Sequence, residues 1–286
     1  MKVLTYLTIL LLTATNLIAQ PAKSSLLWQI TGNGIENPSY LFGTFHIMCK
    51  GEFAVTGELE SKLKATQQFY GEINLDDPDI QTKMISKLML SGTTLQAMIP
   101  AADYLKVNAG FQEITGMPMT SFNSFKPFLC LSLLALKSIT CNETVQPETE
   151  FVIVAKKNNL TILGLETIDD QINAIDQEPL DSQILSLQKM VLNFDSVQTV
   201  FKQLTSVYNT RNIDSIYAFM KTNGPTNEKF ETELLVKRNQ KWIPVIEKAI
   251  KEKSSFFAVG AGHLGGEQGV INLLRKKGFR IEPVKY

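Results

Sequence analysis

Histidine is scarce in this chain of 286 residues: only His46 and His263 occur. Any imidazole chemistry must run through one or both. Excess charge of one sign is also absent, since 28 Lys and Arg balance 28 Asp and Glu, and this removes the basic surplus that dominates nucleic-acid affinity. No Gly-x-Ser-x-Gly elbow occurs to seat a nucleophilic serine. No Walker-type phosphate loop occurs either, and although Gly260, Gly262 and Gly265 have the spacing of a dinucleotide-binding loop, that spacing alone is a weak signal. Beyond the N-terminus no run is long and uncharged enough to cross a bilayer, and no tandem repeat or low-complexity tract breaks the chain.

What is present describes a folded globular protein, with 44% hydrophobic, 20% charged and 9% aromatic residues. Met1-Lys2 followed by the apolar run Val3 to Leu12 and the small, polar stretch Thr13 to Ala19 reads as a secretory signal peptide over 1–19. The remaining 20–286 are expected to form one exported domain, periplasmic or extracellular. The alternative is an uncleaved N-terminal anchor, for which the run is short of the roughly 20 residues a span needs. Export admits a disulfide among the three cysteines. Cys130 lies in an apolar helical run, so the polar surroundings of Cys49 and Cys141 favour a Cys49–Cys141 bridge, the alternative being three reduced thiols.

Apolar runs and turn signals predict an α/β fold, a small mixed central sheet from N- and C-terminal strands with a large helical middle. Strands are expected near 26–30, 40–42, 69–74, 160–163, 256–259 and 280–284. Helices are expected near 57–68, 79–90, 101–115, 126–139, 147–158, 166–177, 181–220 and 227–253. The last strand–turn–helix–strand, with its helix at 267–277, predicts a parallel pair.

Both histidines follow the same local pattern. Tyr40-Leu41-Phe42-Gly43-Thr44-Phe45-His46 and Phe257-Ala258-Val259-Gly260-Ala261-Gly262-His263 each give an apolar strand, a glycine, two residues and a histidine. A glycine there allows a sharp turn and close backbone approach, so both imidazoles are expected at the carboxyl ends of strands, facing one crevice. Two imidazoles and a carboxylate form a common ligand set for a hydrolytic divalent metal. Glu72, in the apolar stretch Phe69 to Ile73, is the best carboxylate, since an unpaired charge is costly to bury; its alternative is the wet face of that strand. Glu267 reads as first-turn helix chemistry and Glu166 as a cap or crevice wall.

These stretches, with Gly164-Leu165-Glu166-Thr167 and Gln171, Arg238-Asn239 with Trp242, and Val259 to Leu264 running on to Leu273-Leu274, resemble in order and spacing the TraB/PrgY/GumN family, bacterial relatives of the Tiki proteases. The resemblance implies a fold related to erythromycin esterases and haem-binding ChaN proteins, and peptide cleavage that depends on a divalent ion (Mn, Co or Zn). It implies His46, His263 and Glu72 as metal ligands, with Glu72 also a candidate base, and Arg238 and Asn239 as substrate-binding or site-bracing residues. Residues alone place Arg238 and Asn239 on a solvated helix face. The reading is an exported metal-dependent hydrolase acting on a peptide or protein. Its alternatives are a non-catalytic peptide- or haem-binding envelope protein and a structural envelope role.

Overall fold

Short apolar runs that end in glycine build the sheet. The structure, a computed structural model, describes residues 24–224 and 228–286, so the expected leader at 1–19 lies outside the described residues. β1 (Leu27–Thr31) and β2 (Ser39–Thr44) pair antiparallel around the Gly/Asn/Pro turn, and β3 (Met48–Cys49), α1 (Gly57–Lys64) and β4 (Gln68–Gly71) follow. Next come α2 (Ile80–Lys87), α3 (Leu95–Met98), α4 (Ala101–Thr115), α5 (Pro127–Lys137) and β5 (Thr144–Val145), which pairs with β3 in a separate ribbon. α6 (Pro147–Lys157), β6 (Thr161–Gly164), α7 (Ile168–Ile175), α8 (Leu180–Leu192), α9 (Phe194–Asn209) and α10 (Ile213–Asn223) complete the middle. α11 (Glu228–Glu231) runs through a π-helical turn, Thr232–Lys237, into α12 (Arg238–Glu252). β7 (Ser255–Gly260), a 3-10 turn (Ala261–His263), α13 (Val270–Lys276) and β8 (Arg280–Val284) close the chain.

The main sheet has the order β6-β4-β7-β2-β1-β8. β6, β4, β7 and β2 are mutually parallel, while β1 lies antiparallel between β2 and β8. This is the expected α/β architecture, with three differences in detail. β8 runs in the direction of β7 but pairs with β1, because the N-terminal hairpin occupies the place beside β7. The expected helix 181–220 is three helices. It breaks at Asn193 and again at Thr210 to Asn212, where Arg211 adopts φ +56° and the Asn212 side chain accepts the Asp214 and Ser215 amides as an N-cap. The stretch Leu264 to Gly269 is a turn, so Glu267 is exposed ahead of α13 rather than in its first turn.

β2 and β7 are buried along their whole length, as parallel strands covered on both faces are. On one face Phe42, Phe69 and Phe256 gather around Phe151 of α6, with ring centroids 5.2–5.8 Å apart. On the other, Tyr70 stacks on Phe257, and Gln68 donates to the Ala249 carbonyl of α12. A second apolar cluster joins α4, α5 and α8 around Phe111, Leu134 and Leu187. Cys130 sits buried in it, where desolvation pushes its thiol up to about 12. Cys49 is bonded to Cys141, their Cα atoms 5.8 Å apart. Among the described residues no helix is long and apolar enough to cross a membrane.

Candidate active site

The four parallel strands finish at one edge of the sheet, each with a glycine at or next to its last residue: Gly43, Gly71, Gly164 and Gly260. That edge is where open α/β sheets bind ligands. β2 and β7 are neighbours in register, with Thr44 opposite Gly260, so their following residues bring His46 and His263 to the same place. A Cβ on Gly43 would stand 2.8 Å from Leu264 Cδ1 and 3.1 Å from Ala261, and the two histidine loops pack closely because it is absent. Gly262 is pressed against Met220 instead, where a Cβ would meet its methyl at 2.5 Å. β4 ends at Gly71, three residues before the end of the strand expected at 69–74, so Glu72 leaves the sheet edge rather than alternating along a strand.

Glu72 is 7% exposed and fully engaged. Its Oε1 accepts the Gly260 amide at 2.8 Å, and its Oε2 accepts Arg238 Nη2 at 2.6 Å and Gln171 Nε2 at 3.2 Å. Arg238 also donates to Glu166 from Nε and Nη2, and Trp242 Nε1 donates to the second Glu166 oxygen at 3.0 Å. Arg238 and Asn239 are thus buried, which overturns the solvated-face reading. The π-helical turn just before them sets their register, and Arg238 Nη1 returns to the Leu234 carbonyl inside that turn. Asn239 Nδ2 donates to the His263 and Gln268 carbonyls, so its Oδ1 faces His263 Nδ1 at 2.7 Å and accepts a proton carried there. His263 Nε2 is left as a lone pair, 3.2 Å from Arg238 Nη1 and 3.8 Å from Glu72 Oε1.

His46 is held in the same manner by a residue that sequence reading missed. Its Nδ1 lies 2.6 Å from Glu148 Oε1, which also accepts Thr44 Oγ1 at 2.5 Å. Glu148 stands in the first turn of α6, 102 residues from His46. Its only signal was an acidic side chain directly after Pro147 at a helix start, which reads as dipole chemistry.

Burial opposes the charge on Glu72, but His263, Arg238, His46 and the Gly260 amide together hold its pKa at about 2. Desolvation holds His263 down at about 3, with Arg238 adding to it, so this imidazole is neutral near pH 7 and Arg238 is the working counter-charge of Glu72. For His46 the packed surroundings oppose protonation, yet the Glu148 charge and hydrogen bond raise it to about 9. Its side chain is 65% exposed, so solvent screens this pair more than the buried one. Burial raises Glu166 despite Arg238.

The donor set suits a divalent cation. His46 Nε2 and Glu72 Oε1 lie 3.2 and 3.3 Å from the point a Cβ on Gly260 would occupy, a small space that any other residue would fill. Both Nδ1 atoms are tied by an outer partner, the arrangement that orients metal-binding imidazoles. The three donors are gathered but not closed: among the described residues no three His, Cys, Asp or Glu groups form a ready coordination shell. Arg238 stands against the lone pair of His263.

These groups open into a cavity of about 710 Å³ whose far wall is apolar, with residues from α2, α5 and α7 and further apolar side chains from α8, α10, α11 and the π-helical turn. The sequence model of the TraB/PrgY/gumN family matches residues 26–283. The Danio rerio metalloprotease TIKI2 is 21% identical over 320 aligned positions, covering 93% of this chain and 62% of that protein. The Xenopus tropicalis and Homo sapiens metalloproteases TIKI1 are 24% and 22% identical, each covering 92% of this chain and 62% of the relative. The chain therefore spans about 62% of the length of these curated relatives. No solved structure matches it at a significant level.

Proposed function

The chain belongs to the TraB/PrgY/gumN family, and from that premise we propose that it is an exported, divalent-metal-dependent hydrolase that cleaves a peptide or protein. The observation that carries this reading is the meeting of His46, Glu72 and His263 at the carboxyl edge of adjacent parallel strands, with both imidazole Nδ1 atoms bound elsewhere. His46 Nε2, His263 Nε2 and a Glu72 oxygen would hold the ion, which supplies Lewis-acid polarisation of a carbonyl and a more acidic water.

The protein's own groups do the rest. A pKa of about 2 keeps Glu72 anionic, which suits a ligand better than a proton acceptor near neutral pH. Glu148 fixes the His46 ring and holds its Nδ1 proton, and Asn239 does so for His263. Arg238 balances Glu72 and Glu166, and must withdraw from the His263 lone pair for that nitrogen to ligate. Gly260 keeps the space between the donors open. Export rests on the apolar segment Val3 to Leu12, and the Cys49–Cys141 bridge is in keeping with an oxidising compartment. Capture of haem has less support, since Arg238 is the only Lys or Arg among the described residues lining the cavity and both its carboxylate partners are already in place.

The test is metal content. The purified protein, dialysed after exposure to Mn²⁺, Co²⁺ or Zn²⁺, is expected to retain about one equivalent of one of them. His46→Ala and His263→Ala are each expected to lose it, and unchanged stoichiometry in both variants would sink the proposal.

A further inference from the structure

α5 is apolar on two faces. Cys130 and Leu134 are buried in the cluster with α4 and α8. Phe128, Leu131, Ser132 and Ala135, spaced by three and four along the helix, line the cavity that also holds His46, Glu72 and His263. α2 adds Met84, with Leu88 just beyond its end, and α7 adds Ile172 and Ile175. A helix whose second face met only water would carry polar residues there; three helices here turn apolar stripes toward one polar cluster. Outside that cluster Glu178 is the only charged side chain among the described lining residues.

We infer that this wall receives a large apolar side chain, Leu, Met or Phe, of a peptide whose adjacent bond is presented to His46, Glu72 and His263; the inference rests on the hydrolase reading above. At about 710 Å³ the cavity is in the range that encloses small ligands. One apolar side chain does not fill it, which leaves room for backbone beside the polar edge. Met84, Met190 and Met220 give the wall a flexible, polarisable surface that adapts to different apolar shapes. Selection among Leu, Met and Phe is therefore weak. Selection against acidic side chains is strong, because Glu178 faces the space while Arg238, the only Lys or Arg among the described lining residues, is already paired with Glu72 and Glu166.

Two parallel measurements decide it. Metal-supplemented protein is given a peptide library and the cut sites are read by mass spectrometry; fluorescein-labelled peptides differing only in a central Leu, Phe or Asp are titrated by polarisation. The same is done with Ala135→Trp and Ser132→Trp, which narrow the wall without touching the polar cluster, and whose folding is checked by thermal unfolding. Leu and Phe peptides are expected to bind about 10- to 100-fold tighter than the Asp peptide, and at least one Trp variant to lose that preference while cutting shifts toward Gly or Ala. Equal binding of Leu and Asp peptides, or selectivity unchanged in both folded Trp variants, overturns the inference even if peptides are cut. Leu-selective binding that Ala135→Trp abolishes, with no product under any of the three metals, supports the apolar wall and counts against the hydrolase reading instead.

Discussion

The two walls of the cavity are built on opposite plans. At the sheet edge, each of Glu72, Glu166, Arg238, Asn239 and His263 is buried or nearly so and holds its partners at hydrogen-bond distance. Across from them the helical wall presents side chains such as Leu131, Met84 and Ala135 that are only half-buried. The first wall is rigid because moving any member strands a charge in low dielectric. The second is loose because nothing in it needs a partner. Chemistry that depends on geometry sits on the first, and shape recognition that must adapt sits on the second.

The comparison breaks most visibly at Arg238. Arg238→Ala leaves Glu72 and Glu166 facing each other without their common cation, and is expected to cost about 3–5 kcal/mol in urea unfolding. A loss below about 1 kcal/mol would mean that those carboxylates are satisfied without it. The next contrast lies within a single helix. Leu134→Ala, on the buried face of α5, should cost about 2–5 kcal/mol, whereas Leu131→Ala, on the cavity face, should cost under about 1 kcal/mol because its contacts are already incomplete. Similar losses for both would show that the cavity face is packed in solution.

The smallest effect is in pH. Folded His263, held near 3, cannot take up the proton that an unfolded histidine binds around 6.5. Stability of the metal-free protein should therefore fall as pH drops below 6.5, by at most about 1.4 kcal/mol per pH unit. His46 works in the other direction: its contribution is fully present below 6.5 and lost as pH rises through about 9, and its exposure keeps that limb shallow. Unfolding midpoints between pH 5 and 9 should peak near 6.5, and His263→Gln should flatten the acid side. An acid limb unchanged in that variant would place its cause elsewhere.

Much of this arrangement was legible in the sequence because it is local. Gly43-x-x-His46 and Gly260-x-x-His263 each encode a strand end and a turn within a few residues, and the strand assignments then follow from short apolar runs. Glu148 was not legible, since its meaning depends on a contact across 102 residues, and in isolation it is one more acid at a helix start. For Arg238 and Asn239 the residues alone suggested a solvated face for the same reason, and only the family resemblance pointed to the site: the π-helical turn before them leaves no periodic trace in the residues it contains. The second apolar face of α5 was hidden by its first, because a run that is apolar all round reads simply as buried.

The Cys49–Cys141 bridge has a consequence for the order in which the site can assemble. His46 and Glu148 are 102 residues apart along the chain, and the bridge bypasses 92 of them, leaving ten and one cystine as the covalent path between the pair. Their encounter becomes that of two ends of a short tether rather than of a long loop, with a correspondingly smaller closure entropy. Once oxidised, a chain that has not yet formed its sheet already keeps the exposed imidazole within reach of the carboxylate that orients it. The intervening residues, which supply α2 and α5 and so part of the apolar wall, can then fold as a closed loop between the two fixed ends of that tether.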